Sequence, residues 1–177
     1  KHQYAVAATN GRDVINSARA ASAMKEVGAG KKTIIYGWSQ GGGATIAAAS
    51  LPDYQAEQGT AADNLEYLGF VALAPEDVAA MLPKPPTDEA GASKLMNEFT
   101  QANVPNVFLF AHFMMGLWGT QAAYPDLKLT DVLTEEGVKV ADTLSSNKCV
   151  HVMADSIGYA YGDQYKSLIK PQTNNSL

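Results

Sequence analysis

The stretch Thr33-Ile34-Ile35-Tyr36-Gly37-Trp38-Ser39-Gln40-Gly41-Gly42-Gly43 constrains this chain more than any other. A β-branched run reads as a strand, and the alanine-bearing segment after it (Ala44, Ala47, Ala48, Ala49) reads as a helix. Between them lies Gly37-Trp38-Ser39-Gln40-Gly41, a GxSxG pattern of the kind that forms a nucleophile elbow. A serine perched on a tight strand-to-helix turn needs strained backbone angles, and residues without a Cβ let the two arms of the turn pack closely. Gly37 and Gly41 are expected to supply those positions, with Trp38 completing the turn. The helix that begins near Gln40 aims its unpaired N–H groups and the positive end of its dipole at the serine, which favours an oxyanion forming there. Ser39 is therefore the candidate nucleophile, and the Gln40 backbone N–H the candidate oxyanion donor. The plainer alternative is a surface serine in a glycine-rich turn; the strand before it and the helix after it argue against that.

The surrounding chain extends the same pattern. Asn10 can cap a helix whose first turn holds Asp13, whose apolar face carries Val14, Ala18, Ala21 and Met24, and which Gly28-Ala29-Gly30 would close. A strand over Thr33 to Tyr36, the elbow and a helix to about Ser50 follow, and Leu51-Pro52 ends that helix. A polar connector from Asp53 to Asn64 leads to Tyr67-Leu68-Gly69-Phe70-Val71-Ala72-Leu73-Ala74-Pro75, a near-continuous apolar run typical of a strand buried on both faces. Helix-linked strands pair in parallel, and ligands of such sheets lie beyond the carboxyl ends of the strands. That places Ser39 and Pro75-Glu76-Asp77 on one rim.

Beyond Met81 the character changes. Pro83-Lys84-Pro85-Pro86 reads as a rigid linker, and helical patterns without a convincing strand follow: Asp88 to Ala102, Val104 to Ala123, Thr130 to Leu144 and Lys148 to about Tyr161. The expected organisation is an α/β core segment over 1–82, a helical cap over 83–170 and a frayed polar tail over 171–177. Two strands do not make the sheet of a doubly wound domain, so the chain is expected to be part of something larger.

The bulk properties exclude several classes. A chain of 177 residues, 46% apolar and 18% charged, is long enough for a globular core. A net charge of −5 without any Lys/Arg cluster argues against nucleic acid or an anionic membrane surface as partner. The single cysteine, Cys149, cannot form an internal disulfide, and with His151 it lacks the company of a zinc site. No metal or organic cofactor is implied. The longest apolar stretch, Val104 to Trp118, is interrupted by Pro105, Asn106 and His112 and falls short of a bilayer span, so no transmembrane segment is expected. The first residue is Lys1, and no charged n-region with an apolar h-region is present; any signal peptide is expected to have been removed.

With these elements laid out, the chain resembles the secretory lipase family, α/β-hydrolases of fungi and bacteria that include yeast lipase A. The resemblance rests on Gly11-Arg12-Asp13-Val14 before an amphipathic helix, Gly37-Trp38-Ser39-Gln40-Gly41-Gly42, and the Gly69 to Pro75 strand, with weaker support from Asp131-Val132-Leu133-Thr134-Glu135-Glu136-Gly137. It implies an α/β-hydrolase, a partial doubly wound parallel sheet with an all-helical cap or lid inserted. It implies further a secreted serine carboxylic ester hydrolase acting on lipid-like esters. Ser39 would be the nucleophile, the Gln40 N–H an oxyanion donor, and Asp88 to about Tyr165 the cap over an acyl pocket. It also implies that the second oxyanion donor lies upstream of Lys1 and the triad acid and histidine downstream of the cap, so that the remaining segments of the same enzyme are the expected partners.

An internal triad is the alternative. The order Ser, acid, His would use Asp77, after the second strand, and then His112 or His151. His112 lies within Phe110-Ala111-His112-Phe113 and His151 among Val150, Val152 and Met153, where a histidine is more often a helix residue with a satisfied ring nitrogen than a base. Glu76 beside Asp77 is more simply a cap or solvated rim, and Glu135-Glu136 is explained by a helix dipole. The run Phe108, Phe110, Phe113, Met114, Met115, Leu117, Trp118 covers nearly a whole helix circumference; core packing is the simpler reading and a channel for acyl chains the functional one. The same elbow also serves thioesterases, acyltransferases and peptidases, and a truncated hydrolase could bind apolar ligands without catalysis.

Overall fold

The computed structural model describes residues 2–57, 64–76 and 86–171. By backbone contacts the chain divides into two compact units, Ala5–Leu82 and Lys1–Tyr4 together with Pro83–Leu177. Asp77, the prolines at 83 and 85, and the tail beyond Pro171 lie outside the described residues.

The first unit runs α1 (Ala7–Ala23), β1 (Lys32–Trp38), α2 (Gln40–Ala49), α3 (Pro52–Ala56) and β2 (Glu66–Leu73). β1 and β2 pair in parallel, from Lys32 opposite Glu66 to Trp38 opposite Leu73, with one register irregularity between Thr33 and Ile34. The expected parallel pair is present. Ile15, Ile35 and Ala48 form the buried centre, with Val14, Leu51, Tyr54, Tyr67 and Phe70 packed around it.

Four local expectations are corrected. α1 begins at Ala7, with Val6 before it, so Asn10 is an interior helix residue instead of its cap. Asn10 and Gly11 are buried because a Cβ at Gly11 would lie 2.8 Å from the Ala47 carbonyl carbon and the Ala48 nitrogen: the two helices cross there backbone to backbone. α1 also ends at Ala23, five residues before the Gly28 stop, and the expected connector opens with the short helix α3. Arg19 ties α3 to α1, donating to the carbonyls of Tyr54 (2.7 Å) and Glu57 (3.0 Å) and stacking over the Tyr54 ring. Finally, β2 is not buried on both faces. Ile34, Tyr36, Trp38, Leu68, Val71 and Leu73 are all exposed, because α1 and α2 cover the sheet only on the side of Ile35 and Gly37.

The second unit is helical: α4 (Glu89–Asn103), α5 (Val107–Ala123), α6 (Glu135–Ser145) and α7 (Val150–Tyr161), with 3₁₀ segments at Leu129–Asp131 and Gly162–Leu168. Among its described residues β pairing is limited to one isolated bridge, Leu133 with Ile169. α5 starts at Val107, later than expected, because Asn106 accepts from the Phe108 and Leu109 N–H groups and caps it. Its Phe110, Phe113, Met114, Met115 and Trp118 are buried against Leu133, Ala141, Met153, Ile157 and Leu168, so these members of the aromatic and methionine run are core. Two polar tips inside this core are satisfied. Trp118 Nε1 donates to Asp142 at 2.8 Å and Tyr165 Oη to the Val104 carbonyl at 2.7 Å. The chain's first residues belong here too: Gln3 donates to the Ala122 carbonyl, and the absence of a Cβ on Gly119 leaves room for the Tyr4 backbone.

Phe110 is fully buried at the middle of α5, so Phe110→Ala should lower the unfolding free energy of the helical unit by about 3–5 kcal/mol, read by urea denaturation followed by tryptophan fluorescence. A second expectation concerns pH. Tyr161 Oη donates to Glu136 at 2.8 Å, and that bond, with partial burial and the nearby negative charge, raises the phenol's pKa above 10.0. A raised folded pKa stabilises fully below the unfolded value and loses that stabilisation as pH rises through the folded one. Tyr161→Phe should therefore flatten the alkaline decline of Tm above about pH 10 and leave its slope near neutrality unchanged.

Candidate nucleophile elbow

Ser39 occupies the single residue between β1 and α2. Its backbone sits at φ 54°, ψ −120°, in a region that a residue with a Cβ populates only under constraint, at about 1–3 kcal/mol. Three backbone hydrogen bonds hold it there. Its N–H donates to Leu73 (3.0 Å), and its carbonyl accepts from Gly43 (3.1 Å) and Glu76 (2.9 Å). Ser39 is thereby fastened to both the first turn of α2 and the end of β2, which puts it on one rim with Pro75 and Glu76.

The glycines divide their work differently from the sequence expectation. A Cβ at Gly37 would overlap the Gly41 carbonyl and lie 2.5 Å from the Thr45 hydroxyl oxygen. Gly41, in contrast, has open space where its own Cβ would be. The close approach is therefore made by Gly37 onto the backbone of Gly41. Two further positions escaped the sequence reading. A Cβ at Gly42 would come within 2.9 Å of the Leu73 oxygen and Pro75 Cα, and one at Gly43 would overlap the Glu76 carbonyl. The run of three glycines after Gln40 was the available sign, since a helix interior seldom keeps glycine without a packing reason. Ala74 is the other missed residue. Its φ of 40° bends the end of β2 so that the Glu76 N–H reaches Ser39.

The electrostatics follow from the helix. The first hydrogen bond of α2 runs from the Gly43 N–H to the Ser39 carbonyl, so the Gln40 N–H precedes the intrahelical ladder and lies at the positive end of the dipole, beside Ser39. The Ser39 side chain does not cap the helix. Its residue is half-buried, as is Gln40, whereas Trp38 is 69% exposed on the uncovered side of the sheet. A hydroxyl held at such a turn, next to unpaired helix-terminal donors, suits acyl transfer through a tetrahedral oxyanion.

The two candidate histidines belong to the helical unit. His112 on α5 and His151 on α7 both pack on the Phe108 ring, at 4.5 and 4.7 Å between centroids, and His112 Nδ1 lies 2.9 Å from the Phe108 carbonyl. The structure thus brings the two candidates to one ring within the helical unit. The unit Ala5–Leu82, which carries Ser39, has no histidine in its sequence. Among the described residues no three His, Cys, Asp or Glu side chains gather as a metal site, and Cys149 is exposed before α7.

An α/β segment with a strained serine between a parallel strand and a glycine-led helix is the arrangement that serine hydrolases of the α/β class use. Comparison with known families agrees: residues 1–76 match the model of the secretory lipase family, and over that stretch the resemblance expected from the sequence is borne out. The match supports lipase or esterase function in general terms and, by the family's name, secretion. Among the described residues the sheet has two strands. No curated protein matches the chain. No solved structure matches it either. Among the described residues no helix is long and apolar enough to cross a membrane.

The two glycines of the GxSxG pattern should respond oppositely to alanine. Gly37→Ala should destabilise the α/β unit by at least about 3 kcal/mol, because the backbone of α2 must move. Gly41→Ala should be neutral or stabilising by about 0.5–1 kcal/mol, since its Cβ meets nothing and alanine is the better helix former. Chemical denaturation of both variants checks the contrast.

Proposed function

We propose that this chain carries the nucleophile-bearing part of a secreted serine ester hydrolase of the secretory lipase type, acting on lipid-like esters. The observation that carries the reading is the strained Ser39 backbone at the mouth of α2, beside the Gln40 N–H. Ser39 Oγ attacks the ester carbonyl carbon as a base removes its proton; the oxyanion is held by the Gln40 N–H and a second donor. The alcohol leaves with the proton, and water then releases the acid from the acyl-enzyme. In this reading 1–82 is a segment of an α/β-hydrolase core with a larger doubly wound sheet, and the helices from Asp88 to about Tyr165 form a cap over the acyl pocket.

The base and its acid come, on this proposal, from further segments of the same enzyme. Two observations favour that over Asp77 with His112 or His151: the serine's own unit has no histidine, and both of the others are engaged on Phe108. The same lack of a base supports a second reading, a segment that binds apolar ligands without turnover.

A fluorophosphonate probe separates the two. The full polypeptide encoding these residues should label at Ser39, located by peptide mass spectrometry, and hydrolyse p-nitrophenyl esters; Ser39→Ala should lose both, with turnover falling by about 10⁶-fold. Absence of label on a folded protein favours the binding reading. Acyl-chain and thioester profiling distinguishes a lipase from a thioesterase, acyltransferase or peptidase.

A further inference from the structure

We propose that Thr45 is a positioning residue for the elbow, its hydroxyl setting the tilt of the Gly41 carbonyl and through it the direction of Ser39; the inference rests on the reading of Ser39 as nucleophile. Thr45 is 1% exposed, the most deeply buried polar side chain among the described residues of its unit. The other buried residues of α2 are Gly42, Ala44, Ala47 and Ala48, so Thr45 is the one buried position of this helix that carries a hydroxyl. A buried hydroxyl also needs a partner. Thr45 Oγ1 finds it at 2.9 Å in the Gly41 carbonyl, one turn back.

That carbonyl is the one against which Gly37 packs, and the Thr45 oxygen itself lies 2.5 Å from the place a Gly37 Cβ would take. The hydroxyl therefore stands where strand and helix come closest. A threonine bonding the carbonyl four residues earlier draws that carbonyl away from the ideal helix direction and bends the turn. Here the turn is the first of α2, the one that carries the Gln40 N–H and receives the Ser39 carbonyl. Shifting the Gly41 carbonyl would press on Gly37, one residue from Trp38 and two from the nucleophile. Thr45 touches no reacting atom; it acts through Gly41.

The test uses Thr45→Val, which keeps the shape and removes the hydroxyl, and Thr45→Ser, which keeps the hydroxyl, in the full polypeptide. Thr45→Ala serves if the valine variant does not fold. Phosphonylation of Ser39 gives a maximal rate and a half-saturating probe concentration; hydrogen exchange of the Ser39 and Glu76 amides reports how firmly the turn is held. Thr45→Val should lower the maximal rate by about tenfold with little change in half-saturation, and Thr45→Ser should recover most of it, as expected for a displaced reacting group. The two amides should exchange faster by about tenfold in the valine variant only. Parent-like labelling and exchange in Thr45→Val would overturn the proposal, and so would a serine variant as impaired as the valine one. If the parent itself does not label, the nucleophile reading has failed separately. The exchange rates then decide whether Thr45 holds the turn, with unchanged exchange in Thr45→Val counting against it.

Discussion

The absence of a Cβ at Gly37 lets the end of β1 lie against the first turn of α2, and the arrangement around Ser39 depends on that contact. Three neighbouring approaches repeat the device: Gly42 against Leu73 and Pro75, Gly43 against Glu76, and Gly11 against Ala47 and Ala48. The α/β unit is therefore assembled largely from backbone meeting backbone. Its fully buried centre is small, Ile15 with Ile35 and Ala48, so its geometry is set by which positions can do without a side chain. The helical unit is built the other way. Phe110, Met114, Trp118, Leu133 and Met153 fill its interior with large side chains, and shape matching among them replaces close backbone approach.

Close approach also explains how strain is kept in place. Ser39 and Ala74 both have positive φ, at 54° and 40°, and they lie at the carboxyl ends of adjacent parallel strands. Neither conformation would persist in isolation. The bonds from Ser39 N–H to Leu73 and from Glu76 N–H to the Ser39 carbonyl close a short backbone circuit around the two, and the first hydrogen bond of α2 adds a third tie to Ser39. The turn is thus held by several main-chain bonds at once, none of which requires the Ser39 side chain. The hydroxyl is left with no structural duty as a helix cap, which is what a nucleophile needs.

What was legible in the sequence was what is locally encoded. The strand, elbow and helix from Thr33 to Ala49 could be read because β-branched residues, GxSxG and alanines fall in one short stretch. The helices of the second unit could be recognised, but α5 and α6 start three and five residues later than expected, where Asn106 and Thr134 cap them. The failures involve partners distant in sequence. Asn10 looks like a cap, yet it and Gly11 are buried inside α1 because α2 crosses there. Gly41 resembles Gly37 in the motif, but which of two glycines must lack a Cβ depends on where the strand meets the helix. Ala74 has no side-chain property that announces a positive φ. His112 and His151 each read as a satisfied helix residue; that they share Phe108 could not be known before α5 and α7 were packed together.

The largest discrepancy bears on the proposed function. β2 has the composition of a strand covered on both sides, and parallel sheets occur almost only with both faces covered. Here Ile34, Tyr36 and Trp38 on β1 and Leu68, Val71 and Leu73 on β2 stay open on one face. An apolar surface of this kind is costly to leave in water and is ordinarily a contact surface. The serine has a parallel deficiency, because its unit contains a turn, a donor and a hydroxyl but no imidazole. In the proposed enzyme one cause accounts for both. Strands added beside β1 and β2 would extend the sheet and give it a face that helices can cover, and the loops at their carboxyl ends would open onto the rim where Ser39 stands. That is where a base and an acid must come from in such a sheet. In that enzyme the composition of β2 and the lack of a histidine in the unit of Ser39 would both follow from the same larger sheet.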